Sequence, residues 1–512
     1  MATPADLIDP DACYRALKTR DTRFDGRFFT GVTSTGIYCR PVCSVRTPRR
    51  ENCRFFAHAA LAETAGFRPC LRCRPELAPG RPWWSIQDAS AILAQQAAQL
   101  MDDPDTWLAD HASVRRLAER LGVSDRHLRR IFEAQFGVSP IRYLQTRRLL
   151  AAKQLLADTD LPVHQVAIAS GYASVRRFND AFVAHYRLNP TQLRRAGTQP
   201  AGGAVRVRLG YRPPLDDAAM GQFFQRRQIA GLEQVDIAPD GKGFALARTV
   251  RLSSGSTEYR GWLLARMEPS RNQVVLQVDD ALRPVLPQLI RRVRQWFDLD
   301  ADPHAIDQLL RADFPDGAGL RVPGTLDGFE LAVRAILGQQ ITVAAARTLA
   351  QRLVQAFGTP IVTPYPALNR LFPDAAALAA ADPERLGAIG IVRQRQRAIQ
   401  ALALAVTSGV LTLRATDDVP ATMARLRALP GIGDWTAQYI AMRALRWPDA
   451  FPAGDVALHT ALGLRQHPHP ARAAEARSQA WRPWRSYAVL RAWHATPAAA
   501  PTAEPGSPSR GD

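Results

Sequence analysis

What the sequence lacks is as informative as what it contains. Cysteine occurs six times in the 512 residues, and none follows Cys73. Only three lysines accompany the many arginines, and none follows Lys242. A thiolate nucleophile is therefore excluded downstream of residue 73, and a lysine Schiff base is excluded downstream of residue 242. No apolar run reaches the roughly 18 residues that a membrane-spanning helix needs, so no membrane partner is expected.

The N-terminal sequence MATPADLIDPDACYRAL lacks the order of a secretory signal, in which basic residues precede an apolar stretch. We therefore expect a cytoplasmic protein. In that reducing compartment, paired cysteines are metal ligands more often than they are disulfides.

Four of the cysteines form two close pairs, Cys39/Cys43 and Cys70/Cys73. Two short C-x₂₋₄-C pairs on separate turns are the usual source of the four thiolates that Zn²⁺ binds tetrahedrally. The spacing predicts one zinc ion held by all four cysteines. It leaves two roles open, a structural knuckle that holds a small domain together and a reactive centre.

The formal net charge is +19, and the basic excess extends over the whole chain. Phosphate contacts supply most of the non-specific affinity of proteins for nucleic acid, so a polyanionic partner is expected. The alternative is a source whose proteins are generally rich in arginine.

Hydrophobic periodicity divides the chain. Apolar residues recur at three- and four-residue intervals in some segments and alternate with polar residues in others. The predicted fold class is multidomain, mainly α with α+β parts. The predicted boundaries are a zinc domain at 1–80, an all-α domain at 85–196, a linker at 197–204, a small antiparallel-sheet α+β domain at 205–302, an all-α bundle at 303–495 and a disordered tail at 496–512.

Two similar helix-turn-helix units follow one another in the all-α domain. In SVRRLAERLGVSDRHLRRIFEAQFG, Gly122 is placed to end one helix and Ser124 to cap the next. In LPVHQVAIASGYASVRRFNDAFVAHY, Gly171 lies in the turn. Two such units suit successive major grooves, whereas a helical spacer with solvated arginines is the alternative. The candidate DNA contacts on the second helices are Arg126, His127, Arg129, Arg130, Ser174, Arg176, Arg177 and Asn179.

Residues 113–195 also resemble the DNA-binding domain of the AraC family, including the linking helix IRYLQTRRLLAAKQLLA. The resemblance implies a sequence-specific transcriptional activator.

In the bundle, Gly431, Ile432 and Gly433 precede the helical run DWTAQYIAMRAL. Glycines there let backbone N–H groups approach a phosphate at a helix N-terminus, as in a helix-hairpin-helix motif. A tight turn is the alternative. Asp455 follows the turn sequence FPAG, where many aspartates are simple helix caps.

Residues 203–495 resemble the AlkA type of 3-methyladenine DNA glycosylase, in the helix-hairpin-helix superfamily. The matching stretches are YRPPLDDAAMGQFF, VPGTLDGFELAVRAILGQQ, LPGIGDWTAQYIAMRAL, the Asp455 turn and WRPWRSYAVLRAW. The resemblance implies that Asp455 is the catalytic carboxylate, and that Trp435, Tyr439 and Trp493 line the pocket for a flipped, cationic alkylated base. Core packing is the alternative for each ring.

By the same resemblance, the glycine hairpin clamps a phosphate, and Gln339 and Gln340 lie in the loop that fills the gap left by the flipped base. AlkA has a leucine wedge where this chain has Gln340. In relatives that also cut the backbone, a lysine occupies the position of Trp435. A monofunctional glycosylase of the 3-methyladenine glycosylase II type is therefore expected.

The opening segment, GIYCRPVCSVRTPRRENCRFFAHAALAETAGFRPCLRCRPE, resembles the N-terminal domain of the Ada alkylation-response protein. The resemblance implies that Cys39 accepts a methyl group from a DNA methylphosphotriester in a single turnover. Arg46 and Arg68 are candidate phosphate contacts. Cys13 and Cys53 lie outside the spacing, and no function is predicted for them.

The combined hypothesis is an alkylation-damage response protein, with double-stranded DNA as its partner, that senses methylphosphotriesters, regulates transcription and excises alkylated bases. It adds expectations of a monovalent cation at the hairpin, RNA polymerase as a partner, a monomeric state and association with the nucleoid. Two alternatives stay open. One is a zinc-stabilised regulator whose glycosylase-like half has lost catalysis, and the other is a glycosylase whose front half targets DNA without a methyl-dependent switch.

Overall fold

The computed structural model describes residues 9–79, 89–103, 113–159, 161–195, 205–255 and 257–495. The predicted linker at 197–204 and the predicted tail at 496–512 lie outside these residues. None of the helices within the described ranges is long and apolar enough to span a membrane.

The N-terminal unit is built on a four-stranded sheet in the order β3-β1-β2-β4. Its elements are α1 (Pro10–Thr19), β1 (Phe29–Val32), β2 (Ile37–Cys39), β3 (Cys53–Phe56), α2 (Ala59–Thr64) and β4 (Arg68–Pro69). β2 and β4 run parallel, with Ile37 opposite Arg68 and Tyr38 opposite Pro69. This register brings Cys39, the last residue of β2, beside Cys70, the residue that follows β4.

The second unit is entirely helical over the part that the structure describes. Its helices are α3 (Ala89–Asp102), α4 (Val114–Arg120), α5 (Asp125–Phe136), α6 (Pro140–Asp158), α7 (Val163–Ala169), α8 (Val175–Tyr186) and α9 (Pro190–Arg195). Stacked and edge-on aromatic rings fill its core, with Phe132 and Phe136 4.4 Å apart between ring centroids. The 19-residue helix α6 connects the two helix pairs α4/α5 and α7/α8.

The third unit contains a five-stranded, wholly antiparallel sheet in the order β5-β9-β8-β7-β6. Its elements are β5 (Val205–Gly210), α10 (Asp217–Arg227), β6 (Glu233–Ile237), β7 (Phe244–Ser254), β8 (Thr257–Glu268), β9 (Gln273–Val278) and α11 (Leu286–Trp296). In β5 buried apolar residues alternate with exposed arginines, which is the period-two pattern of a sheet with one covered face.

A helical bundle completes the chain. Its helices are α12 (Pro303–Leu310), α13 (Gly328–Leu337), α14 (Val343–Phe357), α15 (Ala375–Ala379), α16 (Pro383–Ala388), α17 (Arg393–Thr407), α18 (Val419–Arg427), α19 (Asp434–Arg443), α20 (Val456–Ala461), α21 (Pro470–Ser478) and α22 (Arg485–Ala495). The helix α13 is buried along almost its whole length and forms the centre of the bundle's core. The predicted fold class, mainly α with a small sheet unit and a cysteine cluster, is confirmed.

Buried ion pairs join the units. Arg74, one residue after Cys73, donates to both carboxylate oxygens of Asp158 on α6, at 2.6 and 2.9 Å. Lys153 on α6 pairs with Glu76 and donates to the backbone carbonyl of Cys70 at 3.4 Å. The cysteine pairs are therefore attached directly to the helix that connects the two helix-turn-helix units.

Candidate functional site

The four predicted metal ligands meet at one point. The Sγ atoms of Cys39, Cys43, Cys70 and Cys73 all lie within 4.8 Å of one another, and among the described residues they form the one group of this kind. Three of the four cysteines are buried, and Cys73 is partly exposed. Four mutually close thiols with no carboxylate or imidazole among them are the donor set of a structural-type zinc site, so these residues fit Zn²⁺.

The arginine inside the first pair braces this cluster. The backbone N–H of Arg40 donates to Sγ of Cys73 at 3.3 Å, and its guanidinium donates to the Cys73 carbonyl at 3.1 Å. The same guanidinium forms a buried ion pair with Asp25. Arg40 therefore ties the two cysteine pairs together and does not face outward toward a ligand.

The two predicted phosphate contacts lie near the cluster, where Arg46 is exposed and Arg68 is half-buried. The two cysteines outside the cluster are buried. Burial, with a smaller effect from Asp9, raises the pKa of the Cys13 thiol to about 12, and burial also raises the pKa of Cys53. Both thiols therefore stay protonated at neutral pH and are poor nucleophiles.

The first helix-turn-helix has the predicted caps. Helix α4 ends before Gly122, whose φ is +69°, and Ser124 accepts a hydrogen bond from the backbone N–H of His127 at 3.2 Å. Arg126 and Arg130 are exposed on α5. Arg129 is instead paired along the helix with Asp125, and Arg130 lies 3.2 Å from Nδ1 of His127.

The second helix-turn-helix repeats this construction. Gly171 has a φ of +80°, and Ser174 accepts from the backbone N–H of Arg177 at 3.3 Å. Arg176 and Arg177 are exposed on α8. Asn179 is half-buried, and its carbonyl oxygen is buried without a hydrogen-bond partner. The Ser174 side chain is thus used as a helix cap, and the arginines form the accessible part of this surface.

In the bundle, the glycine hairpin forms an open turn between α18 and α19. Gly431 has a φ of +77°, and an added Cβ there would lie 3.0 Å from Ala398. Gly433 has open space around it and caps α19 without any side-chain hydrogen bond. The first N–H groups of α19 therefore face outward from an uncrowded backbone, which is the arrangement that binds phosphate. Ile432 is buried beneath them.

Asp455 receives three hydrogen bonds. The indole N–H of Trp435 donates to Oδ2 at 2.7 Å, and that of Trp493 donates to Oδ1 at 3.0 Å. Oδ1 also accepts from the backbone N–H of Leu458 at 2.7 Å, which makes Asp455 the N-cap of α20. Asp455 is thus a helix cap, which was the alternative to a catalytic role, and it also accepts hydrogen bonds from both predicted pocket tryptophans. Only 9% of Asp455 is exposed.

The third predicted pocket ring completes an aromatic wall. Tyr439 is stacked on Trp435, with ring centroids 5.3 Å apart and planes 10° apart, and it lies 6.3 Å from Trp493. Trp435 and Trp493 come from helices α19 and α22, which are distant in sequence. The structure therefore brings all three rings and Asp455 together in one place.

Sequence reasoning missed a group of arginines behind this wall. Arg443 donates to the Tyr439 hydroxyl at 2.6 Å, and the Arg227 guanidinium lies 3.9 Å from the ring centre of Phe223. Burial alone would raise the pKa of Tyr439, but the charges of Arg443 and Arg227, with the hydrogen bond, outweigh it and lower that pKa. The i,i+4 spacing of Tyr439 and Arg443 on one helix was a usable signal. Arg227 lies on α10 in the third unit, and its place in the sequence gave no signal that it acts on Tyr439.

The two glutamines after α13 lie in different environments. The side-chain amide of Gln339 donates to the Gly431 carbonyl and to Thr436 Oγ1, both at 2.9 Å. Gln340 is exposed and has a φ of +57°, which is unusual for a residue with a Cβ. Gln339 therefore ties the loop to the hairpin, and Gln340 is the residue that the loop presents outward.

Four family models match successive parts of the chain. They are the metal binding domain of Ada at 12–76, a helix-turn-helix domain at 117–196, the AlkA N-terminal domain at 206–327 and the HhH-GPD superfamily base excision DNA repair protein at 333–486. Together with the sites above, they define a DNA-binding protein with a base-excision repair domain.

Curated relatives match at different lengths. A Mycobacterium tuberculosis protein named as a probable bifunctional transcriptional activator/DNA repair enzyme AlkA is 39% identical over 95% of this chain and 96% of its own. The Escherichia coli DNA-3-methyladenine glycosylase 2 is 33% identical over 56% of this chain and 96% of its own. The Bacillus subtilis bifunctional transcriptional activator/DNA repair enzyme AdaA is 29% identical over 38% of this chain and 86% of its own.

The chain therefore belongs to the family of bifunctional transcriptional activator/DNA repair enzymes in which an Ada-type zinc-binding domain and a helix-turn-helix domain are fused to an AlkA-type DNA glycosylase. The predicted resemblances to the Ada and AlkA types are confirmed. Its double character as a transcription regulator and a DNA glycosylase follows from this membership.

Proposed function

We propose that the glycosylase half hydrolyses the N-glycosidic bond of alkylated bases, including 3-methyladenine, and leaves an abasic site. The observation that carries this proposal is the bonding of Trp435 and Trp493 to opposite oxygens of Asp455, beside a stacked aromatic wall. Such a wall suits a flipped base that carries positive charge, because the ring faces are electron-rich.

In this mechanism Asp455 acts through its charge. As the glycosidic bond lengthens, positive charge develops on the sugar, and a fixed carboxylate nearby stabilises it. The alkylated purine is already cationic and leaves with its bonding electrons, so little acid catalysis is needed. Water then adds to the sugar. The two indole donors and the Leu458 N–H hold the carboxylate, which is thus oriented before the reaction begins.

The glycine hairpin supplies the DNA contact in this proposal. The open N-terminus of α19 accepts a backbone phosphate, Gln339 fixes the neighbouring loop to the hairpin, and Gln340 enters the space that the flipped base vacates. A monovalent cation would bind to hairpin carbonyls such as those near Gly431. No lysine follows Lys242, so the helical bundle that holds Asp455 contains none, and a Schiff-base lyase step is not part of the proposal.

Base release from duplex DNA carrying 3-methyladenine tests the proposal. Free base should appear at a rate that depends on enzyme concentration, with the DNA backbone intact until alkali is added. If an Asp455→Asn protein released base as fast as the natural chain, the catalytic assignment would be wrong. The same measurement tests the alternative in which this half has lost catalysis, since that reading requires no release by the natural chain.

We also propose that Cys39 accepts a methyl group from a DNA methylphosphotriester. Bound Zn²⁺ keeps its cysteine ligands as thiolates at neutral pH and so supplies a nucleophile. A lone pair on the Cys39 sulfur forms the S–C bond while the C–O bond of the triester breaks, and the electron pair leaves on the phosphate oxygen. None of the described residues is suited to remove the methyl group from the resulting thioether and restore the thiolate, so each molecule reacts once.

The charge change gives this transfer a regulatory consequence. Four thiolates around a divalent ion sum to about −2, which repels DNA phosphate, and methylation removes one negative charge. Exposed Arg46 and half-buried Arg68 then contribute phosphate contacts with less opposition. We propose that this loss of negative charge increases promoter binding through the exposed arginines of α5 and α8. We also propose that the protein is a monomer, associates with the nucleoid and recruits RNA polymerase.

Intact-mass measurement after exposure to methylphosphotriester DNA tests the transfer. The expected result is a mass increase of one methylene per chain, mapped to Cys39 by peptide sequencing. An unmodified chain would remove the sensor and leave a glycosylase whose front half only targets DNA. Binding of promoter DNA before and after modification, by fluorescence anisotropy, tests the switch separately.

A further inference from the structure

A small cavity lies beside two of the four clustered cysteines. Its volume is about 10 Å³, and Cys39 and Cys43 border it, whereas Cys70 and Cys73 are not among its described lining residues. The cluster is therefore asymmetric, because two of its cysteines line this partly open space and the other two are not among its described lining residues. Of the two that adjoin it, Cys39 is the proposed methyl acceptor.

The walls of this cavity are mainly apolar. Leu17 in the last turn of α1, Val32 on β1, and Val45 and Pro48 on the loop after Cys43 line it, together with Thr30 and Thr47. A cavity needs roughly 10–15 Å³ to hold one water-sized sphere, and a methyl group is of similar size. Apolar walls favour a methyl group over water, because water needs two to four polar partners. The cavity therefore matches a single methyl group in volume, and most of its lining side chains are apolar.

Thr30 is the wall residue that faces Cys39. The two are directly opposite in the antiparallel register of β1 and β2, so their side chains lie on the same face of the sheet. Thr30 is 1% exposed, and its hydroxyl is buried without a hydrogen-bond partner. A packed β-branched side chain at this position limits how far a group on the Cys39 sulfur can extend across the sheet.

We propose that this cavity is an alkyl-acceptor pocket that limits transfer at Cys39 to a methyl group. The inference rests on the proposed methyl transfer and adds its specificity. The carbon being transferred occupies the cavity while its S–C bond forms and its C–O bond breaks, and the phosphate oxygen departs with the electron pair. An ethyl group carries one more carbon than the space accommodates, so an ethyl phosphotriester reacts slowly.

The proposal predicts different rates for the two triesters. The full-length zinc-bound chain should transfer ethyl about tenfold or more slowly than methyl, since one extra methylene in a closed pocket costs that much. Duplexes carrying a single methyl or ethyl phosphotriester distinguish the two by adduct mass on Cys39. The ratio of the two single-turnover rates is the quantity to compare among variants.

Two variants enlarge the cavity, one matched variant keeps its shape, and a fourth fills it. Val45 is half-buried on a loop, so Val45→Ala is expected to fold, and it should raise the ethyl rate several-fold and so lower the ratio of the methyl rate to the ethyl rate. Thr30→Ala should act similarly, whereas Thr30→Val retains the side-chain shape and should leave the ratio unchanged. Val45→Phe fills the space and should slow both transfers. Zinc content, measured after release by thiol oxidation, verifies that each variant retains its cysteine site.

The outcomes separate the two proposals. Equal methyl and ethyl rates in the natural chain would overturn the pocket and leave methyl transfer intact. An unchanged ratio in both Val45→Ala and Thr30→Ala, with zinc retained, would also overturn the pocket. Absence of any adduct on Cys39 in zinc-loaded protein that still releases alkylated bases would overturn methyl transfer itself, and the pocket with it.

Discussion

The indole N–H of Trp435 donates to Oδ2 of Asp455 at 2.7 Å, and it is the one donor that the described residues give this oxygen. The other oxygen has two donors, Trp493 and the backbone N–H of Leu458. The carboxylate is therefore held unequally on its two sides. Because Trp435 also stacks on Tyr439, one side chain sets the orientation of the carboxylate and forms part of the aromatic wall.

Replacing Asp455 with asparagine should abolish most base release. The substitution keeps the size of the side chain and removes the negative charge that stabilises the developing sugar cation, so a loss of about a hundredfold or more is expected. Single-turnover release of 3-methyladenine from duplex DNA measures it. Asp434→Asn is the matched control, because Asp434 is exposed at the start of α19 and pairs with Arg427. That variant should retain activity within a fewfold.

The unequal donors predict unequal effects of two tryptophan substitutions. Trp435→Phe leaves Oδ2 without its described donor, and loss of a hydrogen bond to a charged group costs about 1.5–3 kcal/mol, or roughly tenfold to a hundredfold in rate. Trp493→Phe leaves Oδ1 still bonded to Leu458, so the loss should be smaller. Single-turnover rates at saturating enzyme compare the two. A larger loss for Trp493→Phe would contradict the assigned donors.

Gln339 and Gln340 should give separable defects. Gln340→Ala removes an exposed side chain, so we expect slower excision from a fully paired site and a smaller effect when the lesion lies opposite a mismatch, where flipping costs less. Gln339→Ala breaks two hydrogen bonds to the hairpin and should weaken DNA binding in both contexts. Excision rates and anisotropy-based Kd values on the two duplexes separate these effects. Equal sensitivity of Gln340→Ala to both duplexes would contradict its role as the inserted residue.

Zinc removal should impair promoter binding more than base excision. Without metal the cysteine cluster loses its main constraint, and the contacts of Lys153 and Arg74 transmit this loss to α6, between the two helix-turn-helix units. Chelation should therefore lower affinity for promoter DNA, while base release changes little. Cys13→Ser is the control, because Cys13 lies outside the cluster and should leave zinc content and binding unaltered. Equal loss of both activities would show that the whole chain depends on the metal.

Much of the site could be predicted because it depends on short spacings. The cysteine pairs, the first serine cap and the glycine hairpin are local patterns, and the structure has the predicted cap at Ser124. The bonding of Trp493 to Asp455 is non-local, and here the family resemblance, not periodicity, brought the two together. The roles of Arg227 and of Thr30 could not be predicted, since Arg227 acts on Tyr439 in another unit and Thr30 lies opposite Cys39 on another strand.

The intramolecular hydrogen bonds and ion pairs of the predicted DNA-contact residues could not be predicted either. The AlkA resemblance placed Gln339 among the DNA contacts, and the helix-turn-helix pattern placed Ser174 and Arg129 among them. In the structure each of these side chains has an intramolecular partner, respectively the hairpin, a helix N-terminus and Asp125. A sequence indicates which residues can form polar contacts, but the choice between a neighbour and a ligand depends on distances that only the folded chain fixes.

Arg212 has no exposed surface, and its guanidinium donates to backbone carbonyls of Asp25 and Pro79 in the N-terminal unit and of Asp300 and Ala301 near the bundle. Burial lowers its pKa to about 10, so it remains charged at neutral pH. Any cut that separates the metal-binding unit from the glycosylase removes the carbonyls of Asp25 and Pro79 from this cation and exposes it to solvent. Removal of the metal-binding unit is therefore expected to lower the melting temperature of the glycosylase half in a calorimeter, even where base release persists.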